Sequence, residues 1–187
     1  MSSGYYSMGF RCGILNSAGT YNRGFVTAGH NNSLSMGVYY NDEFIGSILK
    51  RAYANNGSVD AAFVYIANSD YTASNTLIDN KGSLVAGAYM SNFVVNQNVG
   101  ISGAVTRYST GKITLSSVDI NTEDGKLTDL VRASYRSHQG DSGGVVFAIK
   151  DSSKYVSGIN VMGVDGENTN FYVKVTNIKN AFGVVLY

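Results

Sequence analysis

Two residue types that usually interrupt or cross-link a chain are scarce in this sequence. Proline is absent from the 187 residues, and cysteine occurs once, as Cys12. A single cysteine excludes an intramolecular disulfide, so stability must come from packing. Without proline, repeats or low-complexity segments, no linker marks a domain boundary. The polar stretch 68–80 is the best candidate, and it divides the chain into residues 1–77 and 78–187.

Charged residues and long apolar runs are also scarce. Only 14% of the residues are charged, and 14 basic residues nearly balance 13 acidic ones. The basic residues are scattered along the sequence, so they predict no basic patch that would bind nucleic acid or an anionic membrane. No segment approaches the roughly 18 apolar residues of a membrane span, and the first residues lack the features of a signal peptide. We expect a soluble protein, and a mature secreted domain without its leader would have the same sequence.

Residues that hold metals and loops that hold nucleotides are rare. The chain has two histidines and one cysteine, too few for the usual zinc sites once the histidines have different roles. No Gly-x-Gly-x-x-Gly opens a helix after a strand, and no Walker-type loop occurs. The sequence predicts neither a metal nor a nucleotide cofactor.

Glycine, tyrosine and short apolar runs are abundant. The chain contains 22 glycines and 14 tyrosines, and clusters of turn-forming residues separate the apolar runs. This pattern predicts an all-β fold. The predicted strands are residues 8–15, 24–27, 44–48, 62–66, 93–95, 103–108, 144–149, 158–162 and 170–175. One short C-terminal helix is predicted, capped by Thr176 or Asn177 and ended by Gly183.

The octet SHQGDSGG, residues 137–144, places Ser142 among glycines. Glycine lets the backbone turn sharply, so the N–H groups of Gly140 and Ser142 are free to converge on one point, as an oxyanion requires. An ordinary glycine-rich hairpin turn has the same composition. The octet alone therefore does not identify a nucleophile.

Two other residues supply the partners that a nucleophilic serine needs. A hydroxyl requires an imidazole base, and the base requires a carboxylate that fixes its tautomer. His30 ends the segment FVTAGH, and Asp60 begins the segment DAAFV. The chain order His, Asp, Ser is that of the chymotrypsin class and differs from the subtilisin and α/β-hydrolase orders.

These segments, together with GDSGG at residues 140–144, resemble the chymotrypsin-like serine proteases, most closely the bacterial streptogrisin and α-lytic-like branch. The likeness also covers residues 6–12 and 131–134. It implies two six-stranded antiparallel β-barrels, with His30 and Asp60 on the first barrel and Ser142 on the second. It also implies a serine endopeptidase that acts on peptide or protein substrates as a monomer.

The resemblance assigns a role to each residue. Ser142 becomes the nucleophile, His30 the general base and acid, and Asp60 the orienting carboxylate. The N–H groups of Gly140 and Ser142 become the oxyanion hole. The rival interpretation is a catalytically impaired binding module on the same fold, which recognises an extended peptide.

Residues 158–163 look like the edge strand that pairs with the substrate backbone in this family. The predicted substrate-binding residues are Tyr135, Ser137, His138, Asn160, Val161, Met162 and Gly163. A preference for Lys or Arg is disfavoured because no carboxylate lies at the base of this pocket. We expect a medium-sized apolar or polar side chain, with an acidic preference through His138 or Arg136 as the alternative.

The sequence departs from the family at its disulfides and beside the catalytic aspartate. Asn31 and Arg136 stand where the family has cysteines, so Cys12 has no partner and about 2 to 5 kcal/mol per lost bridge must be recovered elsewhere. A reducing compartment and a cysteine-avoiding secretome both fit this loss. Val161 stands where the family usually has a serine that supports the aspartate, unless Asn160 takes that position.

Two further expectations concern Asp141 and Cys12. The bacterial branch pairs the aspartate before the nucleophile with an internal arginine, and the resemblance makes Arg107 that partner of Asp141. Cys12 is expected to be a buried, unreactive thiol on a core strand, because free cysteine behaves as a small hydrophobic residue. The family likeness favours a secreted protein.

Overall fold

The computed structural model describes residues 7–30, 32–164 and 167–187. Tyr6 in the family-like start and Asn31 at the family's cysteine position lie outside the described residues. The single α-helix of the described chain, α1, spans Val175–Phe182. The strands are β1 Arg11–Leu15, β2 Tyr21–Thr27, β3 Gly37–Tyr40, β4 Glu43–Tyr53, β5 Asp60–Ile66, β6 Leu84–Tyr89, β7 Asn98–Gly103, β8 Arg107–Thr122, β9 Gly125–Ala133, β10 Val145–Lys150, β11 Ser153–Gly163, β12 Asn170–Lys174 and β13 Val185–Leu186.

The strands form two hydrogen-bonded sheets. The first has the order β13-β1-β2-β5-β4-β3, and the second has the order β10-β7-β8-β9-β12-β11-β6. In the second sheet β10 also pairs with β11, so the six antiparallel strands β7 to β12 return on themselves. The predicted all-β architecture with a short C-terminal helix is confirmed. The division at residues 77 and 78 stays a prediction; it falls between β5 and β6, and β13 lies in the first sheet.

The two sheets share one apolar core. Phe10, Val26 and Phe63 from the first half belong to the same buried cluster as Phe147 and Ile159 from the second half. Strands covered on both faces are encoded as short continuous apolar runs, as in β5 and β10, and these runs are the strands that sequence analysis predicts most easily. The shared core brings the end of β2 next to the loop that precedes β10.

Two of the predicted strands are wrong. Residues 93–95 form no strand, and Val94 and Val95 are exposed. The predicted strand 103–108 is interrupted, because β7 ends at Gly103, residues 104–106 form a turn and β8 begins at Arg107. The backbone N–H groups of this turn bind a buried carboxylate instead of a neighbouring strand.

The predicted helix is present with a different start. It follows Lys174, and neither Thr176 nor Asn177 caps it; no side chain caps its first turn. Gly183 ends it in the left-handed conformation, with a φ of 69°, as predicted. Among the described residues, no helix is long and apolar enough to cross a membrane.

Cys12 lies where the sequence predicts it. It is fully buried on β1, between Gly24 of β2 and Leu186 of β13. Burial raises the pKa of its thiol far above the ordinary value, and the nearby Lys179 offsets this effect only in part. The thiol is therefore held in its neutral form.

Candidate active site

The turn that carries His30 is anchored by backbone contacts. β2 ends at Thr27, and a Cβ on Gly29 would lie 2.7 Å from carbonyl oxygens of β4 and β5. Arg51 Nε donates to the Gly29 carbonyl at 2.8 Å. Only glycine fits this close approach, so the chain turns here and presents His30 with its side chain 20% exposed.

Asp60, the first residue of β5, holds the imidazole of His30. Its Oδ2 lies 2.5 Å from His30 Nδ1. Its Oδ1 accepts the backbone N–H groups of Gly29 and His30, each at 2.7 Å. The carboxylate is 2% exposed, and these three contacts satisfy it without a serine hydroxyl from the second sheet. The Nδ1 contact fixes the tautomer and leaves Nε2 as the reactive nitrogen.

The electrostatic environment raises the pKa of His30. Burial alone would lower this pKa, but the hydrogen bond and the negative charge of Asp60 outweigh burial, and Arg51 opposes them weakly. The more distant Asp124 adds a small increase. A raised pKa makes His30 a stronger base, so it is better able to accept a proton from a hydroxyl.

The loop that carries Ser142 packs against the end of β2. A Cβ on Gly143 would lie 2.2 Å from Thr27 Oγ1 and 2.8 Å from Ala28 N, so glycine is required there. Within residues 7–30, 32–164 and 167–187, the backbone N–H groups of Gly140 and Ser142 donate to no protein acceptor. Two unpaired N–H groups beside a serine hydroxyl form the donor set that an oxyanion needs.

The Ser142 hydroxyl points toward the second sheet rather than toward His30. Its Oγ donates weakly to the Val161 carbonyl at 3.5 Å, and no hydrogen bond joins it to His30 in the described chain. Contacts of this kind are often long in unliganded sites and shorten when substrate binds. The structure thus joins Asp60 to His30 and shows, within the described residues, no hydrogen bond between His30 and Ser142.

The expected ion pair between Asp141 and Arg107 is wrong. Asp141 is fully buried, and its carboxylate accepts the backbone N–H groups of Val105, Thr106 and His138 at 2.8 to 3.2 Å. Arg107 instead forms an exposed ion pair with Asp79. The turn between β7 and β8 therefore supplies N–H dipoles in place of a cationic partner.

The predicted substrate-binding residues occupy two depths. Tyr135 is fully buried, and its hydroxyl donates to Asn160 Oδ1 at 2.9 Å, so this pair lies beneath the surface and Asn160 does not support Asp60. Val161 is also buried, at 5% exposure. The more accessible residues are Ser137, His138, Met162 and Gly163. These four residues are thus the part of the predicted set that is open to solvent.

Comparison with known proteins identifies the family. The chain is 29% identical over 168 residues to glutamyl endopeptidase 2 of Streptomyces griseus, a match that covers 88% of this chain and 86% of that protein. It is 30% identical over 189 residues to serine protease 1 of Streptomyces fradiae, which covers 97% of this chain but only 50% of that protein. The chain is a serine-type endopeptidase that is similar to the bacterial chymotrypsin-like proteases. No protein-family profile matches the sequence.

The solved structure of Thermobifida fusca protease A shows the same fold. It superposes on this protease with a TM-score of 0.81 at 22% identity, covering 100% of this chain and 93% of that one. The predicted two-barrel, chymotrypsin-like architecture is thereby confirmed. The family resemblance that the sequence motifs indicate is confirmed by the streptomycete relatives.

A polar depression lies beside the loop that carries Ser142. It encloses about 600 Å³ and is lined by Val105, Thr106, Tyr108, Ser109, Thr110, Arg136 and His138. Two basic side chains and several hydroxyl groups face this space, and none of the described carboxylates lines it. The depression contains only one of the predicted substrate-binding residues, His138.

Sequence reasoning missed two residues of the site. Asn170, on β12, accepts the Ser137 hydroxyl and donates to the Tyr135 carbonyl, so it links two of the predicted substrate-binding residues. A Cβ on Gly163 would lie 2.5 Å from Asn170 Oδ1. Ser7 contacts the loop of Ser142 from the N-terminal side. No local pattern marks either residue, because their partners lie far away in sequence.

Proposed function

We propose that this protease hydrolyses peptide bonds through a Ser142–His30–Asp60 triad and an acyl-enzyme. The observation that carries the proposal is the Asp60 carboxylate, which binds His30 Nδ1 at 2.5 Å and two backbone N–H groups of the same turn at 2.7 Å. A purely structural histidine has no need of a carboxylate held in this way. The free N–H groups of Gly140 and Ser142 complete the required set.

In the proposed reaction, Ser142 Oγ attacks the scissile carbonyl carbon while its proton passes to His30 Nε2. The carbonyl oxygen becomes an oxyanion and accepts the N–H groups of Gly140 and Ser142. The carbon–nitrogen bond then breaks, and His30 gives its proton to the leaving amine. Water, deprotonated by His30, attacks the acyl group and releases Ser142 with a carboxylic acid product.

Asp60 stabilises the imidazolium that forms during each half-reaction. Its Oδ1 is already occupied by backbone donors, so the carboxylate keeps its orientation while the charge on the imidazole changes. The family serine is absent at position 161, and backbone N–H groups take over its supporting role. The loss of this hydroxyl is therefore compatible with catalysis.

We further propose that the substrate backbone pairs with residues 161–163 as an added strand. The side chain of the substrate residue before the scissile bond then lies between Met162–Gly163 and the loop of Ser137 and His138. A medium-sized apolar or polar side chain fits the Ser137–Asn170 base, which bears no charge. The depression lined by Arg136 and His138 favours the acidic alternative, and one relative is named a glutamyl endopeptidase.

A peptide library varied at the residue before the scissile bond distinguishes these preferences. Preferred cleavage after Leu, Met or Gln supports the neutral pocket. Cleavage after Glu, together with its selective loss in Arg136→Gln, supports the acidic alternative. Cleavage after Lys or Arg contradicts both.

A fluorophosphonate probe tests the proposed nucleophile. We expect stoichiometric labelling of the native protease and none in Ser142→Ala. If folded protein is not labelled, the rival binding module is supported, and an unreacted extended peptide should then bind without turnover. Secretion, a monomeric state and the absence of nucleic-acid or membrane partners stay predictions from the sequence.

A further inference from the structure

Ser7, which precedes β1, makes four hydrogen bonds at the junction of the two halves of the site. Its N–H donates to the Ser142 carbonyl at 3.0 Å, and its Oγ donates to the Gly140 carbonyl at 2.8 Å. The same Oγ accepts the Ala104 N–H at 2.8 Å, and the Ser7 carbonyl accepts Thr27 Oγ1 at 2.9 Å. The residue is 3% exposed. Such a fully satisfied buried serine holds its partners in one arrangement.

Ser7 contacts two peptide units, and each of them directly follows a peptide unit whose N–H group is a proposed oxyanion donor. In the unit that follows Gly140, Ser7 binds the carbonyl while Asp141 N–H donates to the His138 carbonyl at 3.0 Å. In the unit that follows Ser142, Ser7 binds the carbonyl while Gly143 N–H donates to the Asn160 carbonyl at 2.7 Å. Both units are therefore held at their two ends.

The units that precede Gly140 and Ser142 carry the free N–H groups. Their direction is set by the neighbouring units, because each peptide is planar and only φ and ψ rotate between them. Gly140 has a φ of 98°, a conformation in which glycine alone is unstrained. A glycine at this hinge rotates easily unless its carbonyl is fixed.

We infer that Ser7 is a positioning residue for the oxyanion hole, which makes the segment before β1 part of the catalytic apparatus. This inference rests on the proposed serine-protease function. Ser7 does not touch the reacting atoms; it acts by clamping the carbonyls of Gly140 and Ser142 so that their N–H groups converge. Its link to Thr27 ties the same clamp to the strand that leads to His30.

The test compares Ser7→Ala with Ser157→Ala. Ser157 is a matched control because it is also a fully buried serine with a hydroxyl hydrogen bond, to the Tyr172 hydroxyl at 3.0 Å, and it lies outside the site. Loss of a whole oxyanion donor lowers kcat by about 10²- to 10³-fold. Loosening both donors without removing them should lower kcat about 10- to 100-fold in Ser7→Ala, with KM changed less than about twofold.

A peptide boronate forms a tetrahedral, anionic adduct with the serine, so its inhibition constant reports on the oxyanion hole. A purely structural role of Ser7 would leave this constant unchanged. We expect its inhibition constant to rise in Ser7→Ala by the same factor as kcat/KM falls, while the acid limb of the pH profile stays in place because Asp60 and His30 are untouched. Ser157→Ala should lower the melting temperature to a similar extent and leave kcat within about twofold.

Two results would overturn the inference: Ser7→Ala retaining kcat like Ser157→Ala, or a rise in KM with kcat unchanged. If Ser7→Ala does not fold, Ser7→Cys, which keeps a weaker donor and acceptor at the same position, replaces it in the comparison. If the unsubstituted protease is not labelled by the fluorophosphonate probe, the proposed function fails instead, which separates the two claims.

Discussion

Replacing Asp60 with Asn tests the role of the carboxylate with little change in shape. The Asn carbonyl still accepts the two backbone N–H groups now bound at 2.7 Å, so the turn of His30 keeps its anchors. The amide nitrogen then faces His30 Nδ1, where the carboxylate oxygen now lies at 2.5 Å. Because an amide donates, Nδ1 must become the acceptor and the imidazole proton moves to Nε2.

The expected magnitude follows from this reversal. An imidazole protonated at Nε2 is unable to accept the Ser142 proton, and loss of the correct tautomer costs about 10⁴-fold in kcat. That factor corresponds to about 5 kcal/mol of transition-state stabilisation. Folding should suffer much less, by under about 3 kcal/mol, because only one charge-assisted hydrogen bond is lost.

The pH dependence gives a second, independent prediction. Activity requires neutral His30, so kcat/KM should rise with pH through the pKa of this residue, which Asp60 holds above its ordinary value. In Asp60→Asn, the effect of burial, which lowers the pKa of His30, is no longer opposed by a carboxylate. The acid limb of the residual activity should therefore move to lower pH. The additional stabilisation that Asp60 gives to protonated His30 is present at low pH, so this part of the folding free energy should be lost as the pH rises through the same pKa.

The assay is the pH profile of kcat/KM for a peptide amide, with circular dichroism to verify folding. Asp124→Asn is the matched control, because Asp124 also raises the pKa of His30 but contributes least. It should shift the acid limb only slightly and leave kcat within about twofold. If Asp60→Asn retained more than a tenth of the activity, or left the acid limb unmoved, the assigned role of Asp60 would be wrong.

The remaining predictions concern five other residues. Ser142→Ala and His30→Ala should each lower kcat by about 10⁶-fold and the double variant should add little, whereas summed effects in single-turnover assays would contradict a triad. His138→Ala should retain the acid limb of the pH profile. If His138→Ala lost this limb while His30→Ala remained active, His138 and not His30 would be the general base. Arg107→Ala should leave kcat and the melting temperature unchanged within error, because its ion pair with Asp79 is exposed; a collapse of activity would restore it as the partner of Asp141. Native Cys12 should resist iodoacetamide at pH 8, and fast alkylation detected by mass spectrometry would refute its burial.

The buried strands and the chemistry of the site were accessible from the sequence because both are encoded locally. The runs that became β5 and β10 are continuous and apolar, and the segments around His30, Asp60 and Ser142 are compact motifs. The long hairpin of β8 and β9 was missed because its side chains are mostly polar and partly exposed. Leu127 and Leu130 of β9 nevertheless belong to the buried core, but polar residues separate them in the sequence.

The errors have a common physical cause in long-range contacts. Residues 103–108 read as a strand, yet the N–H groups of Val105 and Thr106 are taken by Asp141, 36 and 35 positions away. The partners of Ser7 and Asn170 are equally remote, at 133 and 35 positions. Patterns of neighbouring residues do not indicate contacts between residues so far apart in sequence. The arginine assigned to Asp141 failed because backbone dipoles had already satisfied that carboxylate.

The pairing of β13 with β1 has a consequence for the order of folding. Cys12 of β1 lies opposite Leu186 of β13, so the first sheet gains an edge strand only when nearly the whole chain is available. Closing so large a loop is entropically costly and slows folding. A ribosome-bound nascent chain should therefore remain protease-sensitive in the strands of its first sheet until β13 has emerged. Since the chain contains no proline, a slow refolding phase would report this closure and not prolyl isomerisation.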